Sequence, residues 1–145
     1  MNGSRATRLE SSESDVIRGI IAWGPAALWA AVLFLLSGIS DVPSPPWLPM
    51  GDKLGHFCLY AVLGAALAWG RSRAGAEVPH GVPISGAILF ALSDEWHQAF
   101  VPGRFPSSGD LLADALGALT GYLVSFLLVS TRGAAKGGLS LRSPG

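Results

Sequence analysis

Three short stretches of an otherwise apolar chain carry the residue types that do chemistry: "DKLGHFCLY" (Asp52–Tyr60), "SDEWHQAFVPGR" (Ser93–Arg104) and "GDLLADALG" (Gly109–Gly117). Lys53, His56 and Tyr60 follow one another at i, i+3 and i, i+4 steps, which puts all three on one helix face. Glu95 and Gln98 share a face by the same rule, as do Asp110 and Asp114. Lys53 and Arg104 are suited to hold phosphate or carboxylate oxygens. His56 is a candidate nucleophile or general base, and Glu95 a candidate general acid/base. His56, Glu95 and Asp114 are also metal-ligating types. Their mutual distances depend on helix rotation, however, so the sequence assigns no metal and no cofactor.

Ordinary roles stand beside these. Asp110 is a normal helix-start residue, Asp52 and Lys53 can form a solvated interfacial pair, and Tyr60 can be a packed aromatic. His80 and His97 read as interfacial bystanders, His97 on a different face from Glu95. Glu95 is the hardest to explain structurally, because an acid within a membrane span faces other helices and usually serves a function.

The elements that position these residues follow from composition. The 145 residues are 50% hydrophobic and only 14% charged, against about 25% charged in soluble domains. Net charge is zero, so no bulk electrostatic argument supports a nucleic-acid partner. The single cysteine, Cys58, allows no intramolecular disulfide, and no zinc-type Cys/His spacing occurs.

Four apolar runs, Gly19–Ser40, Leu54–Gly70, Val78–Ser93 and Leu111–Ser130, contain only Asp114 as a charge. A hydrocarbon core about 30 Å thick needs about 20 such residues per helix. The expectation is an all-α polytopic membrane protein of four transmembrane helices. The first run exceeds the roughly 7–15-residue core of a signal peptide and follows Glu10, Glu13 and Asp15, so it reads as a retained span. Residues 1–18 form a polar cytoplasmic lead, 19–131 the four-helix membrane domain, and 132–145 a Gly- and Ser-rich flexible tail.

Basic residues set the orientation. Arg5, Arg8, Arg18, Arg71, Arg73, Arg132, Lys136 and Arg142 fall on one side of such a bundle, and only Lys53 and Arg104 on the other. Both termini are therefore expected in the cytoplasm, with Trp23 and Trp69 near the inner interface and Trp47 and Trp96 near the outer one. His56 then lies one turn inside the second span and Tyr60 two. Glu95 lies about 21 Å along the third span at about 1.5 Å per residue, and Asp114 one turn inside the fourth.

Three helices thus bring polar groups to one level under the outer surface, with nothing comparable in the cytoplasmic half. Lys53, His56 and Arg104 are the expected partners for Glu95. The Pro102-Gly103 turn can fold Arg104 over the cluster, and Ser107, Ser108 or Asp110 can cap the fourth helix. Small residues four apart in "GALTG" (Gly117–Gly121) and "GDKLG" (Gly51–Gly55) allow close helix approach, expected within one chain rather than between copies.

These motifs resemble the VanZ-like family of small membrane proteins. The resemblance rests on "DKLGHFCLYAVLG" (Asp52–Gly64), "SDEWHQAFVPGRFPSSGDLLADALGALTGY" (Ser93–Tyr122) and the end of the first run, "FLLSGIS", in the family's order and spacing. It maps the family's polar positions onto Asp52, Lys53, His56, Tyr60, Glu95, Gln98, Arg104, Asp110 and Asp114. Asp114 stands where the family commonly has Asn.

The resemblance implies a multi-pass protein of the bacterial cytoplasmic membrane. The family's name-giving member is associated with low-level resistance to teicoplanin, a lipoglycopeptide acting outside the cell. Three functional classes follow. One is an envelope protein that binds or excludes a ligand at the outer leaflet, its partners the lipid bilayer and a lipid-linked precursor or lipoglycopeptide. Another is an enzyme acting on a lipid-linked phosphate or headgroup, although "PSSGD" lacks the histidine of a P-S-G-H lipid phosphatase. The last is a small transporter or proton relay.

Overall fold

The computed structural model describes residues 3–39, 50–74 and 78–140, with side chains over 12–39, 50–74 and 78–131. Trp47 and Arg142, and the side chains of Arg5, Arg8, Arg132 and Lys136, lie outside the described residues. Four helices make up the described fold: α1 (Gly3–Ser37), α2 (Gly51–Ala74), α3 (Gly81–Gln98) and α4 (Ser108–Ser140). No strand occurs among the described residues.

The helices outrun the apolar runs at both ends of the chain. α1 starts at Gly3 and α4 continues to Ser140, because neither extension carries a proline and each added helical residue closes another backbone hydrogen bond. Pro25 lies within α1 without ending it. Among the described residues two segments are long and apolar enough to cross a membrane, Ser12–Ser37 with 26 residues and Ser108–Thr131 with 24. In α2 and α3 the apolar run is interrupted by polar groups, in the first turns of α2 and the last turns of α3.

Burial is inverted relative to a water-soluble bundle. Large apolar side chains such as Ile20, Leu28, Leu35, Leu89, Leu112 and Leu127 point outward, while Asp94, Glu95, Gln98 and Asp114 are buried. Water-soluble domains almost never bury acids while exposing a continuous apolar surface. In hydrocarbon the preference reverses, since lipid tails solvate Leu and Ile as well as a protein core does.

Among the described residues α1 and α4 do not touch, and α2 and α3 lie between them, each in contact with all the other helices. The most extensive contact is α2 on α4. It depends on glycine. A Cβ at Gly117 would collide with the Phe57 backbone, one at Gly121 with that of Ala61, and one at Gly64 with that of Ala118. The "GALTG" stripe therefore packs α4 onto α2 within the chain, as its spacing suggests. The second such stripe does not hold: nothing lies within 4 Å of a Cβ at Gly55, because that side of α2 turns away from its neighbours. The small core unites Leu33 of α1, Tyr60 and Leu63 of α2, Ala87 and Ala91 of α3, and Ala118 of α4. Trp29 Nε1 donates to the Leu59 carbonyl at 2.9 Å and ties α1 to α2.

Gly121→Leu should destabilise the protein by about 1–3 kcal/mol or more, since the backbone contact leaves no room for a side chain. Gly55→Ala should be neutral or stabilising by up to about 1 kcal/mol through helix propensity. Unfolding of both variants in mild detergent, monitored by circular dichroism, checks the contrast.

Candidate functional site

The polar residues gather at the end of the bundle where α2 begins, α3 ends and α4 begins. Local sequence explains the arrival of each helix. The chain enters α2 through Met50 in a left-handed conformation (φ 63°), and Leu54 N–H donates to its carbonyl at 3.0 Å. After α3, Arg104 N–H donates to the Val101 carbonyl at 3.1 Å, closing a turn with Pro102 and Gly103 at its centre. Gly103 takes a positive φ of 81°, which the third position of a type II turn requires.

Ser107 then caps α4. Its Oγ accepts from Gly109 N–H at 3.2 Å, and its carbonyl accepts from Asp110 and Leu111 N–H, each at 3.1 Å. Of the three capping candidates in the sequence, Ser107 takes the role, which leaves Asp110 free to pair elsewhere.

Three polar pairs descend into the bundle in steps of about one turn. At the rim Lys53 Nζ lies 3.0 Å from Asp110 Oδ1 and 3.2 Å from Asp52 Oδ2. Hydrogen bonding to Asp110, then to Asp52, holds the Lys53 ammonium above its ordinary pKa. The backbone N–H of Lys53, then its ammonium, holds Asp52 below the usual carboxylate range. The next pair is His56 Nδ1 and Asp114 Oδ1 at 3.0 Å. Below it Tyr60 Oη donates to Asp94 Oδ2 at 3.3 Å. Side-chain exposure falls from 31% at Lys53 to 17% at His56, and Tyr60 is 2% exposed. The pairs therefore run from a wetted rim to a dry interior.

Glu95 completes the cluster. It is 7% exposed, and its Oε2 accepts the Ser107 N–H at 2.8 Å. The expected cationic partner is absent among the described residues, because Lys53 is engaged by Asp52 and Asp110 and His56 by Asp114. Arg104 does not fold over the cluster either. Its Nε donates to the Ile39 carbonyl at 3.2 Å in an exposed position, so it closes the end of α1 onto the turn after α3. Gln98 is buried on the Glu95 side of α3.

The structure thus brings Lys53, His56, Tyr60, Glu95, Asp110 and Asp114 together, with Asp52 at the rim, Gln98 behind and Arg104 outside. Asp94 is the member that sequence reading misses. It is 3% exposed and belongs to the buried face Ala87, Ala91, Asp94, Gln98 of α3. That i, i+3 or i+4 series was available in the sequence. The bystander histidines also have partners. His97 Nδ1 lies 3.3 Å from Ser37 Oγ, and the His97 ring lies 4.4 Å from that of Phe34. At the opposite end of the bundle His80 Nδ1 lies 2.8 Å from Tyr122 Oη. The half expected to hold nothing comparable to the cluster therefore has this side-chain pair and an Arg71 Nε bond to the Val78 carbonyl at 2.7 Å, but no carboxylate joins them among the described residues.

Three buried carboxylate oxygens have no hydrogen-bond partner among the described residues: Asp94 Oδ1, Glu95 Oε1 and Asp114 Oδ2. An imidazole nitrogen of His56 and one oxygen each of Glu95 and Asp114 lie within 4.8 Å of one another. The arrangement is an acid-rich polar cluster with one imidazole and a cation at its rim. It can accept hydrogen bonds, hold a cation, or relay a proton between His56 and a carboxylate.

A family model described as VanZ/LLP1 matches residues 6–129, and the chain belongs to that family. No curated protein and no solved structure matches it.

Tyr60→Phe removes the donor to a buried carboxylate and should lower stability in detergent by about 1–3 kcal/mol. In an Asp94→Leu background the same change should cost less than half as much, because no acceptor remains. Thermal unfolding of the single and double variants measures that coupling.

Proposed function

We propose that this VanZ/LLP1-family protein is a four-span envelope protein of the bacterial cytoplasmic membrane, with both termini in the cytoplasm and the polar cluster facing outward. α2 and α3 join the two more apolar helices as spans, their polar turns lying under the outer headgroups. The excess of Lys and Arg on the flanks Arg18, Arg71 and Arg73 supports this orientation. The outward location of Trp96, which is largely exposed beside the cluster, fits an interfacial aromatic.

At that face the cluster engages a polar envelope ligand, a lipid-linked precursor or a lipoglycopeptide, and lowers susceptibility to teicoplanin-type antibiotics. The observation that carries this reading is the convergence of α2, α3 and α4 on one graded polar cluster, open at the Lys53 rim and dry at Tyr60. Buried acids in a span require a function to offset their cost, and a site at the membrane surface is reachable from outside.

A second reading has a specific observation behind it. Asp114 binds Nδ1 of His56, which leaves Nε2 as the nitrogen available to a substrate, one turn below the Lys53 ammonium. This is the arrangement of an oriented general base beside a phosphate-holding cation, and it favours a lipid-linked phosphate or headgroup enzyme. A transmembrane relay is not favoured. Between Asp94 and the His80–Tyr122 pair the helices meet through Gly64, Leu67, Ala87 and Ala118, which carry no proton.

Orientation is testable with single cysteines in a Cys58→Ser background. Phe105→Cys, at an 84% exposed position, should react with a membrane-impermeant thiol reagent in intact cells. Ser12→Cys should react only after lysis. The reverse labelling pattern would invert the topology.

Teicoplanin susceptibility of a susceptible Gram-positive host tests the function. The wild type should raise tolerance and Glu95→Gln should abolish it at matched membrane levels. Tolerance from neither protein shifts the reading to the enzyme, assayed as lipid-phosphate turnover with and without His56→Ala.

A further inference from the structure

The unpartnered oxygens of the cluster point beyond a polar recognition site. Asp114 is fully buried and Glu95 is more than nine-tenths buried. Each nevertheless turns one oxygen, Asp114 Oδ2 and Glu95 Oε1, into the bundle without a hydrogen-bond partner among the described residues. A buried carboxylate oxygen left in that state loses its hydration with nothing in return. The same two carboxylates and His56 bring one ligand atom each to within 4.8 Å of one another.

We propose that His56, Glu95 and Asp114 bind one first-row divalent cation of the Zn²⁺ or Mn²⁺ class. Ligands on one such ion sit about 2.0–2.2 Å from it. The three donors need to draw in by about 1 Å, well within rotation of the Glu95 and His56 side chains. Two carboxylates balance the charge of the ion, so a site that is costly when empty becomes neutral when filled.

The surroundings suit the role. Ser107 N–H holds the other oxygen of Glu95, which fixes the carboxylate and leaves Oε1 as the ligand. Such outer hydrogen bonds orient metal ligands and tune their affinity. One imidazole with two carboxylates favours Zn²⁺ or Mn²⁺ over Mg²⁺, which prefers all-oxygen octahedral sites and keeps its waters. Three protein ligands would leave at least one coordination position for an oxygen of an incoming ligand. The proposal rests on geometry alone and does not depend on the teicoplanin reading.

The test uses the full chain purified in mild detergent with a histidine-free tag, stripped with chelator and then given Zn²⁺, Mn²⁺ or Mg²⁺ alone. Elemental analysis after gel filtration should find about one Zn²⁺ or Mn²⁺ per chain and much less Mg²⁺. Asp114→Asn and Glu95→Gln keep shape while removing charge, and calorimetric titration should find each at least about tenfold weaker. Helix content and elution volume confirm that the variants are folded. The wild-type stoichiometry decides the matter even if they are not. A wild type that retains neither ion means that protons satisfy the carboxylates and overturns the proposal. Folded variants that bind as tightly as the wild type overturn it as well.

Discussion

Backbone contact between α2 and α4 is the constraint on which the rest of the structure depends. Gly117 and Gly121 press onto the backbone at Phe57 and Ala61, and Gly64 onto Ala118. With no hydrophobic effect to drive helices together in lipid, close packing of small residues supplies much of the association. The same closeness sets the site. Toward the open end, Asp114 stands one turn before Gly117 and His56 two turns before Gly64, and next come Asp110 and Lys53. Their bonds of 3.0 Å each require the short interaxial distance. Bulk at the glycines would therefore disturb both stability and the geometry of the cluster.

The second organising feature is the price of acidity in a dry environment. Asp94, Glu95 and Asp114 are all nearly inaccessible, and each finds one donor: Tyr60, Ser107 N–H and His56. None finds a complete set. Proteins that only need a stable bundle place Leu or Ala at such positions, since a half-satisfied polar network is less stable than an apolar core. On the reading proposed above, the cluster is there for what it holds. A cation, an incoming ligand or a transferable proton would each complete it, and the first also explains why an imidazole stands among the carboxylates.

Much of this was legible in the chain. The all-α architecture follows from uninterrupted apolar runs, and the convergence of polar groups follows from placing "DKLGHFCLY", "SDEWHQ" and "GDLLAD" at the same end of alternating helices. The "GALTG" contact was legible for the same reason: a stripe of small residues has one efficient use. Asp94 escaped because its neighbour Glu95 drew the assignment, although the buried face from Ala87 through Gln98 includes it. Arg104 escaped because a cation after a flexible turn can reach several acceptors. The carbonyl of Ile39 lies 65 residues away in sequence, and spacing says nothing about such contacts.

Sequence alone therefore determined which residues share a helix face and at which end of the bundle they lie, because both follow from the fixed rise and repeat of an α-helix and from the cost of charge in hydrocarbon. Only the tertiary structure decided who pairs with whom. Helix rotation and axial offset select Asp110 for Lys53, Asp114 for His56, Asp94 for Tyr60 and a backbone N–H for Glu95. Those two degrees of freedom are set by contacts between helices distant in the chain, chiefly glycine against backbone. A periodicity of 3.6 residues carries no information about them.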